Sequence, residues 1–488
     1  MKFAELIKDM KVLYISGDSS IEITGIDYDS RRVEKGNLFV CIDGKTTDGH
    51  NYIKQAMGNG AAAFVTQKNI QLPEACTIAV TEDTRTALAF LSDKFFGHPS
   101  KSFKLVGVTG TKGKTTVTFM LKAIFDAWGS RAAIIGTLGT QIGNRKVYSE
   151  RTTPESTDLQ RLFKQMSGDR VETVAMEVSS QGLALHRVDF SDFDIGIFTN
   201  LSRDHIGGKE HANMEEYLKA KCMLFKMCRH GVINADSEYA SRVLNEAECK
   251  ILTFGIEKRA DIRARNIIKQ PQSVAFDLES PWYNGRFYTC IPGRFSVYNS
   301  LGAIGACGLL GISEKAVRKG LEAVRVPGRA ELVETGRPFS VIIDYAHTPD
   351  SLENILSTIK EYSSGRVICV FGCGGDRDAA KRPMMGAISG KLADYTVITS
   401  DNPRTEDPEA IIQQIEEGIK GSCGQYISIG DRREAIKHSI SIAQQGDVVV
   451  LAGKGHETYQ ILSDRTIHFD EREVVKELLE ELFEKKCI

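Results

Sequence analysis

Five times between about Ala330 and the C-terminal region, a short apolar run ends in a polar cluster and gives way to a helix-like stretch. "SVIID" runs into Tyr345-Ala-His-Thr-Pro, "RVICVFG" into Cys373-Gly-Gly-Asp-Arg-Asp, and "YTVIT" into Ser400-Asp-Asn-Pro-Arg. "QYISIG" runs into Asp431-Arg-Arg, and "DVVVLAG" into Lys454-Gly-His-Glu. Strand-then-helix units in succession imply a parallel sheet with right-handed crossovers, whose ligands sit outside the carboxyl ends of the strands. Loops are polar in any α/β domain. Five in a row that carry Asp344, His347, Arg377, Asp401, Arg404 and Glu457 predict a site along that edge.

A second alternating region opens at Lys104 and runs to about Pro327; its most specific stretch is "GVTGTKGKTTVTFMLKAIF". Leu105 to Val108 reads as a strand, and Val117, Met120, Leu121, Ile124 and Phe125 recur at helical spacing. Between them Gly110, Thr111, Lys112, Gly113, Lys114, Thr115 and Thr116 match the end of a Walker A loop, although Val108 stands where the first glycine is usual. In such a loop backbone N–H groups approach phosphate at the helix N-terminus, the lysine neutralises β- and γ-oxygens, and the hydroxyl holds Mg²⁺. The competing explanation is a glycine-rich turn without function. Two further strand ends offer metal chemistry: Glu177 closes "VETVAMEVSS", and Asp204 and His205 close "DIGIFTNLSRDH". In "YLKAKCMLF", Lys221 lies on an apolar helix face with Leu218, Leu224 and Phe225. The residues alone favour a lysine snorkelling to water over one carrying a carbamate.

A chain of 488 residues exceeds one core and predicts about three domains, drawn at 1–99, 100–329 and 330–488. The expected class is α/β: a mixed α/β N-terminal domain, a central P-loop ATPase domain with a parallel sheet, and a C-terminal Rossmann-like domain. A net charge of −2 gives no general attraction to nucleic acid or anionic lipid, so phosphate must be held locally. Eleven cysteines without a CxxC pair indicate neither a zinc knuckle nor a disulfide framework. The first twenty residues mix charges into apolar positions and do not read as a signal peptide. No apolar run approaches the ~20 residues of a membrane span. A cytoplasmic protein without membrane insertion or a nucleic-acid partner, and monomeric, is expected.

Together these residues resemble the Mur ligases, ATP-dependent enzymes that build the peptide of bacterial peptidoglycan, over nearly the whole chain. The family's loop, TGT-N/K-GKTT, accounts for the shortened Walker pattern. The resemblance implies ATP and Mg²⁺ as cofactors, and CO₂ held as a carbamate on Lys221, which reverses the snorkelling preference. It implies Thr115, Glu177, His205 and the Lys221 carbamate around metal, and Asn299, Arg329 and Asp344 around ATP. Lys114, Lys221 and His347 would be catalytic, His347 orienting the intermediate. For a UDP-sugar substrate it implies Tyr28, Ser30, Lys45, Thr46, Thr47, Thr152, Thr153, Ser179 and Arg187. The chain departs from many relatives at Leu185 and in "IGGKEHAN" after His205.

The implied reaction adds 2,6-diaminopimelate to the D-glutamate γ-carboxylate of UDP-N-acetylmuramoyl-L-alanyl-D-glutamate through an acyl phosphate. Diaminopimelate differs from lysine by a carboxylate on its far carbon, and Arg377 and Arg404 suit a carboxylate through bidentate, charge-assisted bonds. Asp401, Asn402, Pro403, Gly453 and Glu457 complete the expected amino-acid site, with Asp401 or Glu457 accepting from the far ammonium. The alternative is that Asp401 caps the next helix and Arg404 is a surface charge. Competing functions are the L-lysine-adding ligase of the family, a folylpolyglutamate synthase-like ligase, a P-loop switch or motor, and an inactive nucleotide-binding module.

Overall fold

The computed structural model describes residues 1–488 apart from 45, 46, 71, 72, 74, 75, 144, 150, 204, 205, 207–209, 271, 272, 423 and 484–488. They fall into two compact units: 1–264 with 278–285 and 298–321, and 265–277, 286–297 and 322–488.

The first unit holds two sheets. Near its N-terminus the strands run in the order Tyr14–Ser16, Thr77–Val80, Ala63–Thr66, Asn37–Val40 and Gly25–Asp27, parallel except for the first. The helix Thr84–Phe96, capped by the Asp83 carboxylate on Arg85 N at 2.8 Å, packs Ala87, Leu88 and Leu91 into that sheet's core. The larger sheet places Lys250–Gly255, Cys228–Asn234, Phe193–Phe198, Lys104–Thr109, Thr173–Glu177 and Ala132–Gly136 side by side, all parallel. Most of these strands are buried along nearly their whole length, which is why they read as continuous apolar runs. Register sets Glu177 opposite Val108 and Phe198 opposite Thr109, so three strand ends are level.

The second unit contains all five strands expected from the alternation. Ser340–Asp344, Val448–Ala452, Val367–Phe371, Tyr395–Ile398 and Gln425–Ser428 are mutually parallel, with Glu331–Val333 antiparallel beside the first. Side chains alternate between two cores. Ile342, Cys369 and Val450 face the helices Pro349–Lys360, Lys381–Leu392 and Pro408–Ile419; Val341, Ile368 and Val449 face Arg432–Ile442 and Glu471–Phe483. The helix after the Asp-Asn-Pro-Arg turn is capped by Asp407, whose carboxylate accepts from Glu409 N at 3.1 Å. Asp401 therefore does not cap it. Among the described residues no helix is long and apolar enough to cross a membrane.

Candidate active site

In the first unit the strand Lys104–Thr109 breaks at Gly110 (φ +145°), and the helix Lys114–Trp128 starts after Gly113 (φ +90°). A side chain on Gly113 would strike Asn299 Oδ1 at 2.5 Å, so the expected Asn299 lies against the loop. Two residues that the sequence reading missed hold this loop open. Asn200 Oδ1 accepts from Lys112 N at 2.9 Å, its Nδ2 donates to Lys112 O at 3.1 Å, and Thr199 Oγ1 donates to the same carbonyl at 2.6 Å. Their signal is present in the sequence: both directly follow the apolar strand Phe193–Phe198. Lys114 Nζ donates to Gly110 O at 2.8 Å and Thr111 O at 3.1 Å, folded over the loop it opens.

Next to this loop sits a buried carboxylate. Glu177, 1% exposed, accepts from Thr115 Oγ1 at 2.9 Å, from Thr137 N at 2.9 Å and from Thr137 Oγ1 at 3.1 Å. A hydroxyl and a carboxylate side by side at a helix N-terminus are hard oxygen donors of the kind Mg²⁺ takes, so the residues fit a Mg²⁺–nucleotide complex. Lys221 is 1% exposed, lies 4.4 Å above the Tyr217 ring and donates to Gly110 O at 3.0 Å. It points into the protein beside the phosphate loop, so snorkelling is ruled out. Asp204 and His205 lie outside the described residues, as do Lys45 and Thr46.

Residues expected for the UDP-sugar also gather here. Thr153 Oγ1 donates to Glu177 O at 3.0 Å and accepts from Ser179 N at 3.0 Å; Arg187 donates to Thr153 O at 3.3 Å and to Glu155 Oε2 at 3.2 Å. Thr152 and Thr137 hydroxyls meet at 3.1 Å. Tyr28 and Ser30 are engaged elsewhere: the Tyr28 hydroxyl donates to Asp158 Oδ2 at 2.7 Å, and Ser30 Oγ to Gln55 Oε1 at 2.8 Å. Thr47 is exposed, its carbonyl accepting from Gly44 N at 3.0 Å.

In the second unit the carboxyl edge of the sheet carries two groups. Asp344 Oδ2 accepts from Ala330 N at 2.7 Å, and the Arg329 guanidinium lies 4.7 Å from the Tyr345 ring centre. His347 Nδ1 bonds Tyr345 O at 2.8 Å. A carbonyl only accepts, so the ring proton sits on Nδ1. His456 also packs against Tyr345, with ring centres 4.7 Å apart, and burial, aided by Arg329, Arg472 and His347, lowers its pKa to about 4.

The Asp-Asn-Pro-Arg turn forms the second group. Asn402 Oδ1 accepts from Lys454 Nζ at 3.0 Å and Ile461 N at 2.9 Å, while its Nδ2 donates to Glu457 Oε2 at 2.8 Å. Pro403 is buried behind it. Gly453 (φ +114°) is required here, because a side chain would meet Asp401 Oδ2 at 2.8 Å. Burial, and the Asp401 carboxylate beside it, raise the pKa of Glu457. Arg404 is held at φ +53°, a left-handed conformation costly outside glycine, with its N bonded to Ile461 O at 3.2 Å. Its Nη1 donates to Gly375 O at 2.8 Å, and Gly374 leaves room for that group with Arg377 Cγ flanking the same space. Arg377 itself is exposed. Arg382, which carried no sequence signal, and Arg432, from the Asp431-Arg-Arg strand end, anchor the surroundings. Arg382 grips Glu406 with two bonds of 2.8 and 2.9 Å, and Arg432 grips Glu471 at 2.7 and 2.9 Å.

Three family models match the chain: the Mur ligase family catalytic domain over residues 22–94, the Mur ligase middle domain over 108–307, and the Mur ligase glutamate ligase domain over 328–455. The UDP-N-acetylmuramoyl-L-alanyl-D-glutamate–2,6-diaminopimelate ligase of Caldanaerobacter subterraneus subsp. tengcongensis is 48% identical over 482 residues, covering 99% of both chains. The enzyme of that name from Clostridium botulinum is 47% identical over 483 residues, 98% of this chain and 99% of its own. A solved structure of an enzyme of the same name superposes with a TM-score of 0.74 at 30% identity, covering 99% of each chain.

Proposed function

The chain belongs to the Mur ligase family, and from that premise we propose that it joins 2,6-diaminopimelate to UDP-N-acetylmuramoyl-L-alanyl-D-glutamate at the expense of ATP. Its fold has the family's N-terminal, central and C-terminal domains; we draw their boundaries at 99/100 and 329/330. The observation that carries the choice of amino acid is the turn at 401–404, where an amide with its N–H₂ oriented by its neighbours adjoins Arg404 and Glu457. Relatives of 44–48% identity over essentially the whole chain bear the diaminopimelate name, which favours this amino acid over lysine.

A free carboxylate and an amine do not condense usefully at pH 7, because hydroxide is a poor leaving group. When bound, ATP would supply the γ-phosphoryl group, with Mg²⁺ offsetting its charge: the D-glutamate γ-carboxylate would displace ADP to become an acyl phosphate, from which the amine displaces inorganic phosphate. Lys114 and the N–H groups after Gly110 bind the phosphates; Thr115 and Glu177 would hold Mg²⁺, with His205 expected to join them. The burial of Lys221 beside Gly110 supports its reading as the lysine that carries a carbamate. Thr152, Thr153, Ser179 and Arg187 are assigned to orienting the UDP-dipeptide, with Tyr28, Ser30, Lys45, Thr46 and Thr47 expected to join them. Asn299, Arg329 and Asp344 are assigned to ATP, and His347, its proton fixed on Nδ1, to orienting the acyl phosphate. Arg404 and Arg377 bind the far carboxylate of diaminopimelate, with Asn402 adding an N–H and Glu457 or Asp401 accepting from the far ammonium.

Phosphate release from ATP tests this directly. Release should require the UDP-dipeptide and diaminopimelate together and yield ADP. Formation of AMP and pyrophosphate would remove the acyl phosphate, and turnover with lysine in preference would remove the amino-acid assignment.

A further inference from the structure

Lys454 follows the strand Val448–Ala452 and is 0% exposed, its ammonium buried with the rest of the side chain. An ion so buried must be paired and hydrogen-bonded. Its Nζ donates to Tyr459 O at 2.7 Å and Asn402 Oδ1 at 3.0 Å and faces Glu457 Oε2 at 3.6 Å. Desolvation lowers its pKa, opposed by Asp401 and Glu457.

The consequence falls on Asn402, which is 2% exposed. A primary amide offers an acceptor on one side and donors on the other, and its two orientations differ only in which neighbours they satisfy. Here a cation and a backbone N–H both face Oδ1, and a carboxylate faces Nδ2. Flipping the amide would aim NH₂ at Lys454 and oxygen at Glu457. One Nδ2 hydrogen goes to Glu457, and the second makes no hydrogen bond among the described residues. The guanidinium of Arg404 donates to the backbone carbonyl of Asn402 at 3.4 Å. One turn therefore carries both the guanidinium of Arg404 and the Nδ2 donor of Asn402, the kind of donors a carboxylate takes, whereas a flipped amide would present an oxygen that suits an ammonium.

We propose that Lys454 is a positioning residue that fixes the Asn402 amide and the Glu457 carboxylate, and so sets the preference for an amino acid whose far carbon bears a carboxylate as well as an ammonium. This rests on the ligase reading above. Lys454 is assigned no contact with substrate or nucleotide; it acts through Asn402 and Glu457.

The test compares wild type, Lys454→Met and Lys454→Gln in phosphate-release assays, varying ATP, UDP-dipeptide, diaminopimelate and lysine in turn. Wild-type preference for diaminopimelate over lysine is measured first, and its failure would strike at the ligase reading itself. Given that preference, Lys454→Met should raise KM for diaminopimelate about 30-fold, the loss of a charge-assisted bond, and narrow discrimination against lysine. KM for ATP and for the UDP-dipeptide should stay unchanged, a split that a general loosening of the fold would not give. Lys454→Gln keeps a donor toward Oδ1 and should recover part of the discrimination; if the Met variant does not fold, the same KM comparison on the Gln variant decides. An unchanged KM for diaminopimelate, or an equal rise in all three, would overturn the inference while leaving the ligase reading intact.

Discussion

The phosphate loop and the Asp-Asn-Pro-Arg turn both lie at the carboxyl edge of a parallel sheet, yet they are built differently. The first is mostly backbone: two glycines, a helix N-terminus and a clasp from Thr199 and Asn200. Its function needs N–H groups pointing one way, and a contiguous motif specifies that. The second is mostly side chains: Asp401, Asn402, Arg404, Lys454 and Glu457, drawn from two strand ends and backed by the buried Arg432–Glu471 pair. The difference separates tasks. A backbone cradle serves a phosphate that every reaction cycle uses; a side-chain constellation can distinguish one amino acid from another.

If that division holds, breaking the first region should abolish chemistry with any amino acid. Lys221→Ala should lower kcat by three orders of magnitude or more, on the scale of losing a principal electrostatic contact to a transferring phosphoryl group, roughly 10³-fold. If Lys221 carries the proposed carbamate, a short carboxylic acid in solution should partly restore the rate by replacing its oxygens. Full activity in the alanine variant would remove the carbamate. Lys114→Ala should likewise stop phosphate release with both diaminopimelate and lysine while leaving the circular dichroism spectrum unchanged. Its side chain lies over the loop, bonded to Gly110 and Thr111 carbonyls, and carries none of the core. Retained turnover would place the phosphate site elsewhere.

Breaking the second region should change which amino acid is used before it stops the reaction. Arg404→Ala removes a half-buried guanidinium from beside Gly375 and Asn402. Removing one partner of a buried charge pair costs roughly 2–5 kcal/mol, about 30-fold to several-thousand-fold in kcat/KM for diaminopimelate. Partial exposure of Arg404 puts the expectation at the lower end. Activity with lysine should change little, so the ratio of the two specificity constants narrows. A variant that keeps its diaminopimelate rate would show that this turn does not read the far carboxylate.

The two regions also differed in how far the sequence revealed them. Strand, glycine loop, Lys-Thr and amphipathic helix are adjacent in the chain, and the fold kept them so. The five C-terminal strands were legible because buried parallel strands are apolar throughout. Thr137, Thr199 and Asn200 were overlooked because neutral residues in loops look alike until register brings them beside Glu177 and Lys112. Lys454 stands at a legible strand end, but its burial depends on Asn402 and Tyr459, one of them more than fifty positions away. Arg382 and Glu406 pair across 24 residues and two elements, a link no local pattern encodes. Lys221 shows the converse: its apolar surroundings were legible, but its direction was not, since a lysine stem reads the same whether the ammonium leaves the core or enters it.

The smallest expected effect concerns stability, and it too should separate the regions. His456 lies against Tyr345 in the second unit, its ring centre 4.7 Å from the tyrosine's, with its pKa lowered to about 4 by burial and by Arg329, Arg472 and His347. Unfolded, it would titrate near 6.5. Between about pH 4 and pH 6.5 the unfolded chain therefore binds the proton that the folded chain refuses, so stability rises with pH across that window and falls on acidification. The full shift corresponds to about 3 kcal/mol, and incomplete burial reduces the expectation to about 1–2 kcal/mol, a few degrees in Tm. Glu457 acts in the opposite sense: with its pKa raised, the folded state holds its proton more firmly, which favours folding as pH falls. A single melting curve sums both, so the comparison must be with a variant. His456→Gln should melt with a shallower fall in Tm from pH 7 to pH 4.5 than wild type, and the two should differ in the transition that reports the second unit. Parallel Tm profiles would mean that His456 is protonated in the folded state at a pH near its ordinary value, and that the buried edge around Tyr345 is wetter than the packing implies.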